Sequence, residues 1–344
     1  MKSRWKNFYN ELKVIITLII IAFIIKSTLV EIYVVPTGSM ENTILTGDLL
    51  IGNKFIYGMR TPTWVGLPWS RIGFNIPWFR LPEFKKVKNG DITIFEFPRD
   101  PFQKYVKRCI GIPGDSISIK NGEIIINRIP MDFPIDAKYI KGYTYDIDKI
   151  EKLYTAFNGN RDNINDFIVP YKGMTINFSN IHDWQSLITL LVQDGNIVKL
   201  GSKTFSMIDP NEVARTHGFL KNKLIRLISS GRNAAVREQK ERILYVNQLN
   251  KKYKKRSLIN PWYLNYGSGN EDYLINNITI NGKSLKEINK YILKHDYYYF
   301  MGDNRDSSYD SRFWGFVPDN QILGTPLIAL INIFKFKLRL KVIS

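Results

Sequence analysis

The chain has 344 residues, 44% hydrophobic and 13% aromatic, with a formal net charge of +18. That length and apolar content support a packed core and exclude extensive disorder. The charge fits anionic lipid headgroups or nucleic acid, and equally a general compositional habit, so it selects no function by itself.

In chain order, the first element is an apolar run, "VIITLIIIAFII" over residues 14–25. With its flanks, residues 12–30 supply the roughly twenty residues that a bilayer needs, with Lys26 and Glu31 reaching the far interface. Lys2, Arg4, Lys6 and Lys13 precede the run against the single acid Glu11. The positive-inside rule then puts the N-terminus in the cytoplasm and exports the rest. A cleavable signal peptide is the rival reading, but no small-x-small site follows and "YVVP" continues apolar.

"GDLLIGNKFIY" (47–57) and "DITIFEF" (91–97) read as strands, the second bounded by Gly90 and Pro98. "YVKRCIGIPGDSISIKNGEIIIN" (105–127) reads as strand, Gly-Pro turn, strand, Asn-Gly turn, strand. Asn121-Gly122 is a hairpin signal, because a type I′ turn needs positive φ at both central residues. Residues 58–82, rich in Pro, Gly and Trp, form an aromatic loop that packs on itself or rests at a membrane interface.

From about 131 the character changes. Residues 221–256 hold twelve Lys/Arg against two Glu and resemble a basic helix, solvated or lipid-facing in an exported domain. The β pattern returns near 275 with "YLINNITINGKSL" and ends in the strict alternation of "KFKLRLK" (335–341). The expected fold is mainly β, α+β overall: a transmembrane helix and an antiparallel β catalytic core split by a large mixed α/β insertion. The divisions are 1–30 (cytoplasmic N-terminus and anchor), 31–130 (core), 131–289 (a non-catalytic cap) and 290–344 (core).

Ser39 lies just after the anchor in "VVPTGSMENTILTGD" (34–48). As a nucleophile it needs a proton acceptor. The three histidines, His182, His217 and His295, stand in no recognisable motif. Cys109 is the single cysteine, so no intramolecular disulfide forms, and no His/Cys cluster has metal-ligand spacing. No phosphate-binding glycine loop occurs, so neither a metal nor a cofactor is expected. A lysine is the alternative base, provided that burial lowers its pKa from about 10.4 by some three units. Lys107 has Tyr105, Val106, Cys109 and Ile110 around it in sequence. Taken alone, the same pattern describes an exposed lysine on an alternating strand.

The combination is more specific. "PTGSM" (36–40) after an apolar anchor, "GDLLIGNKFIYG" (47–58), "YVKRCIGIPGD" (105–115) and "GDNRDSSYDSRFWGFVPDNQILG" (302–324) occur in this order. Together they resemble the motifs of bacterial type I signal peptidases, over roughly residues 8–130 and 295–344. The resemblance implies a Ser-Lys serine protease with Ser39 as nucleophile and Lys107 as general base. It implies oxyanion donors from the Ser39 N–H and the Thr37 hydroxyl, and close packing at Gly38. It further implies that Ser308 orients the lysine amine and that Asp310–Arg312 is a supporting ion pair. Asp303 and Arg305 would be structural polar positions. Pockets for small substrate residues would involve Tyr33, Val35, Met40, Ile44, Tyr105 and Val106. Asn42 departs from the family, many of whose members have proline there, with an expected loosening of the turn after Ser39.

By the same resemblance the substrates are preproteins bearing signal peptides, cleaved after Ala-x-Ala-type sites. The partners are membrane lipid and, functionally, the export translocon, with no nucleic acid and a monomeric state. The place is the bacterial inner membrane, single-pass, with the catalytic domain outside. Two alternatives stand beside this: a Ser-Lys protease dedicated to one substrate, and a membrane-anchored binding protein in which the insertion does the work.

Overall fold

A computed structural model of the chain describes residues 9–18, 29–61, 64–66, 73–98, 100–139, 154, 157, 159–178, 183–201, 203–205, 258–259 and 271–343. Residues 9–18 form helix α1. Much of the expected anchor, and the basic segment 221–256, lie outside the described residues. Among the described residues no helix is long and apolar enough to cross a membrane.

In chain order the first strands are β1 (Val30–Val34), β2 (Asp48–Asn53), β3 (Trp64–Gly66), β4 (Gly73–Asn75), β5 (Ile92–Phe97) and β6 (Asp100–Gly111). Next come β7 (Ser116–Lys120), β8 (Glu123–Ile126), β9 (Ile129–Pro130), β10 (Gly159–Asn160), β11 (Asn163–Ile168) and β12 (Thr175–Asn177). Helix α2 (Trp184–Gln193) follows, then β13 (Val198–Leu200), β14 (Lys203–Phe205), β15 (Leu258–Ile259), α3 (Glu271–Asn277), β16 (Ile278–Ile280), β17 (Lys283–Ser284) and β18 (Lys290–Ile292). The chain returns through β19 (Tyr297–Met301), α4 (Ser311–Trp314), β20 (Val317–Pro318), β21 (Ile322–Asn332) and β22 (Lys337–Val342).

The main sheet runs β1-β2-β21-β5-β6-β19-β20, with β22 added to β21. All its pairings are antiparallel. Both halves of the chain therefore contribute central strands, and the other sheets lie in sequence between β6 and β19 or, for β3 and β4, between β2 and β5. The sheet pairing breaks after Gly111: β7, β8 and β9 join β10 and β11 in a second sheet. Residues 116–130, expected within the first part of the core, thus pair in this second sheet. Ile110 of β6 and Tyr299 of β19 still share a buried cluster with Ile117 and Ile164 of the second sheet.

The Asn121-Gly122 turn has φ of 49° and 80°, as a type I′ hairpin requires. Of "KFKLRLK", residues 337–341 belong to strand β22, where exposure alternates from Leu338 on, while Lys335 and Phe336 lie in the preceding turn. "YLINN", read as strand from its apolar content, is instead the helix α3, and the β pattern starts at Ile278. Leu274 of α3 packs with Leu191 of α2 and Val198 in a separate core, so tertiary burial overrides strand propensity there. The stretch 58–82 is not wholly loop, since β3 and β4 pair within it. It is stapled to the main sheet by Arg60, 2.5 Å from Glu96, and by Arg80, which donates to the Ile322 carbonyl at 2.6 Å.

Two strands of the main sheet carry exposed apolar side chains. Val30, Ile32 and Val34 on β1 are exposed, as are Leu338, Leu340 and Val342 on β22.

Candidate active site

Ser39 lies in the 35–47 connection between β1 and β2. Its neck is closed by Val35 N–H to Asp48 O (3.0 Å) and Gly47 N–H to Val35 O (2.8 Å). Inside it, Glu41 N–H donates to Gly38 O at 3.1 Å and Ile44 N–H to Met40 O at 2.7 Å. Met40 and Ile44 point into the core with Val35 and Leu50. That anchorage leaves Ser39 nearly buried at the rim, 8% exposed.

The β5–β6–β19 pairings bring the other groups to it. Lys107 sits opposite Thr93, and Met301 opposite Arg108, so the 302–312 loop leaves β19 beside the lysine. Lys107 is 4% exposed, and its Nζ lies 2.5 Å from Ser39 Oγ and 3.2 Å from Val106 O. Burial lowers its pKa to about 8, against the opposing fields of Asp310 and Asp303 and with some help from Arg312. The desolvation needed for a lysine base is therefore present.

Two buried ion pairs stand behind the lysine. Arg312 grips Asp310 through Nε at 2.8 Å and Nη2 at 2.9 Å. Burial pushes the Asp310 carboxyl up, but Arg312 outweighs it and holds the group below the usual carboxylate range. Asp303 accepts from Arg108 Nε at 2.8 Å and Nη2 at 2.9 Å, and from Thr43 Oγ1 at 2.5 Å. Each carboxylate facing the amine is thus neutralised by its own arginine, which limits how far it can raise the lysine pKa. Arg305 is fully buried beneath Phe133, with its guanidinium carbon 5.4 Å from the ring centre.

Several expected residues stand differently. Ser308 makes no well-formed hydrogen bond, and its hydroxyl lies near Asp310, favouring the ionised carboxylate, rather than bonding the Lys107 amine. Gly38 has no positive φ, and a Cβ there would meet nothing nearer than Thr46 Oγ1 at 3.4 Å. The tight approach is instead at Gly302, where a Cβ would overlap Ser308 Oγ and lie 2.5 Å from Ser39 O. Asn42 has φ +83°, a conformation that proline cannot adopt, so this turn is built for asparagine rather than loosened by it. Of the six pocket residues, Tyr33, Val35, Met40, Ile44 and Val106 share one cluster. Tyr105 belongs to the neighbouring one, stacked on Phe97 at 4.5 Å. Thr37 is exposed. His182 and His217 lie outside the described residues, and His295 pairs with Asp319 at 2.7 Å.

Arg108, Thr43, Gly302 and Asn304 were not singled out by sequence. Their local signal was only membership of quoted stretches: Thr43 in "VVPTGSMENTILTGD", Arg108 in "YVKRCIGIPGD", Gly302 and Asn304 in "GDNRD". Gly302→Ala is expected to lower the turnover number at least ~10-fold while costing about 1–3 kcal/mol of stability, as overpacking of a tight site does. Steady-state kinetics alongside thermal unfolding would check both.

A serine hydroxyl in contact with a buried, partly neutral amine is the chemistry of a serine hydrolase. The family model described as "Signal peptidase, peptidase S26" matches residues 9–220 and 234–330. The chain therefore belongs to the signal peptidase family, peptidase S26, and is a serine peptidase of the type I signal peptidase class. It is 26% identical over 337 residues to signal peptidase I of Buchnera aphidicola subsp. Baizongia pistaciae (strain Bp), covering 96% of this chain and 81% of that protein. It is 27% identical over 322 residues to signal peptidase I of Buchnera aphidicola subsp. Schizaphis graminum (strain Sg), covering 93% and 73%. To signal peptidase I of Rickettsia bellii (strain OSU 85-389) it is 32% identical over 184 residues, covering 49% of this chain and 60% of that protein.

Proposed function

We propose that this chain removes N-terminal signal peptides from exported preproteins after small residues, with Ser39 as nucleophile and Lys107 as general base. The observation that carries the reading is the 2.5 Å contact between Ser39 Oγ and a buried Lys107 amine whose pKa falls to about 8. The neutral amine takes the hydroxyl proton as Oγ attacks the scissile carbonyl, and returns it to the departing amine. It then deprotonates a water that cleaves the acyl-enzyme ester. The Ser39 N–H and the Thr37 hydroxyl are the oxyanion donors. Ser308 acts on the site through Asp310, whose ionised carboxylate its hydroxyl favours. Tyr33, Val35, Met40, Ile44 and Val106, with Tyr105 alongside, limit the substrate to small side chains.

The enzyme is held on the outer side of the bacterial inner membrane by its N-terminal apolar segment, with the N-terminus cytoplasmic. The exposed Val30, Ile32 and Val34 of β1 and Leu338, Leu340 and Val342 of β22 support this, since so many exposed apolar side chains on strands of one sheet suit an apolar contact. Ser39 then works where signal peptides emerge from the translocon, and the chain acts as a monomer with the insertion as a non-catalytic cap.

The test is depletion of the protein in its host, with complementation by wild type or by Ser39→Ala. Accumulation of many precursors, relieved by wild type alone, is the expected result. Accumulation of one precursor would replace the reading with a dedicated processing protease. Full complementation by Ser39→Ala would overturn enzymatic function altogether.

A further inference from the structure

Asn304 holds the peptide groups on both sides of the nucleophile. Its side-chain Nδ2 donates to Gly38 O at 2.9 Å and to Glu41 Oε2 at 3.2 Å. Its backbone N–H donates to Ser39 O at 3.0 Å. The residue is 2% exposed. Flipping the amide would set its oxygen against a carbonyl and a carboxylate, so the partners fix its orientation.

The first of these contacts has a geometric consequence. Gly38 C=O and Ser39 N–H belong to one planar trans peptide, so they point in opposite directions. Whatever fixes the carbonyl also aims the N–H. Gly38 O accepts from Glu41 N–H as well as from Asn304, so two donors hold the plane. The Ser39 N–H itself donates to no group among the described residues.

Asn304 is in turn gripped by the insertion. Lys138 N–H donates to Asp303 O at 2.8 Å, and Arg305 N–H donates to Lys138 O at 3.0 Å, which brackets Asn304 on both sides. The Lys138–Glu41 ion pair at 3.1 Å is half exposed and adds little, so the backbone bridge carries the brace.

We propose that Asn304, braced by the 136–138 segment of the insertion, is a positioning residue that aims the Ser39 N–H at the oxyanion of the reacting carbonyl. This deepens the proposed reading of Ser39 and rests on it. Misaiming one donor weakens the transition state without altering ground-state binding or the base.

The experiment compares wild type, Asn304→Ala and Asn304→Asp as full chains in detergent. It measures kcat and KM on a signal-peptide substrate, the midpoint of the pH–rate rise, and the affinity of a peptide aldehyde. Ser39 Oγ adds to the aldehyde carbon, and the hemiacetal oxygen so formed takes the oxyanion position. For Asn304→Ala, kcat is expected to fall about 10- to 100-fold, less than the ~10²–10³ for outright loss of a donor. KM and the pH midpoint stay put, and aldehyde affinity falls by the same factor as kcat. Asn304→Asp keeps the shape, replaces a donor with a charge facing Glu41, and is expected to be worse than alanine. It supplies the reading if the alanine variant unfolds. A kcat within twofold of wild type in a folded variant, or a loss of kcat with unchanged aldehyde affinity, would overturn the proposal. Retained cleavage by Ser39→Ala would instead overturn the nucleophile assignment on which it rests.

Discussion

Lys107→Met is expected to abolish cleavage and at the same time to stabilise the fold. Removing a general base typically costs ~10²–10⁴ in rate, and removing one member of a mutually dependent nucleophile–base pair costs up to ~10⁶. Methionine fills a similar volume without an ionisable group. In the wild type the cleavage rate should rise with pH through about 8, because only the neutral amine accepts the serine proton. The variant should lose that rise along with its activity.

The stability change follows from the same shift. Unfolded, the lysine titrates near 10.5, and folded near 8. Between these values the unfolded chain binds the extra proton, so wild-type stability increases as pH rises through this window. Below about 8 the fold carries the full cost of a buried base, about 3 kcal/mol at roughly 1.36 per pH unit. Loss of the Ser39 contact offsets about 1 kcal/mol of the gain. Lys107→Met should therefore unfold about 2 kcal/mol harder at pH 7, with the advantage gone above about 10.5. Cleavage that persists, or a variant less stable than wild type at pH 7, would contradict a buried lysine base.

The second large effect is at the Asp310–Arg312 pair. Arg312→Met leaves a fully buried carboxylate without its bidentate partner, and it also strips a donor from the Arg305 carbonyl, 2.6 Å away. Breaking such a pair from one side costs about 3–5 kcal/mol. The bared charge of Asp310 should raise the Lys107 pKa, because Asp310 already favours the ammonium and Arg312 opposes it. Thermal unfolding should show the loss of stability, and the pH–rate rise should move to higher pH. Asp310→Asn combined with Arg312→Met should recover part of both, since no uncompensated charge remains. Additive losses in the double variant would mean that the two residues act separately.

What the chain's own order of residues determined is the local and the chemical. Short apolar runs bounded by turn residues set β2, β5, β7, β8 and β22, alternating in β2 and unbroken in the fully buried β5, because both signals are local to the strand. The Asn121-Gly122 turn was readable because its backbone requirement is local. Ser39 and Lys107 were only candidates from their neighbours, and it was the resemblance of four ordered motifs to type I signal peptidases that singled them out as nucleophile and base.

The tertiary structure decided what depends on distant partners. Burial of Lys107 requires β5, β19 and the 302–312 loop to close around it, and no window around residue 107 contains them. Arg108 finds Asp303 through the register of β6 with β19, nearly two hundred positions away in sequence. Helix α3 forms where strand propensity pointed the other way, because its apolar side found α2 and β13. Asn42 was read as a departure that loosens the turn, and the left-handed backbone at that residue reverses the conclusion. Gly302, not Gly38, is where a side chain has no room, because the crowding atoms come from Ser39 and Ser308. In each case the deciding quantity is a desolvation, a charge pair or an overlap between atoms that only folding brings together.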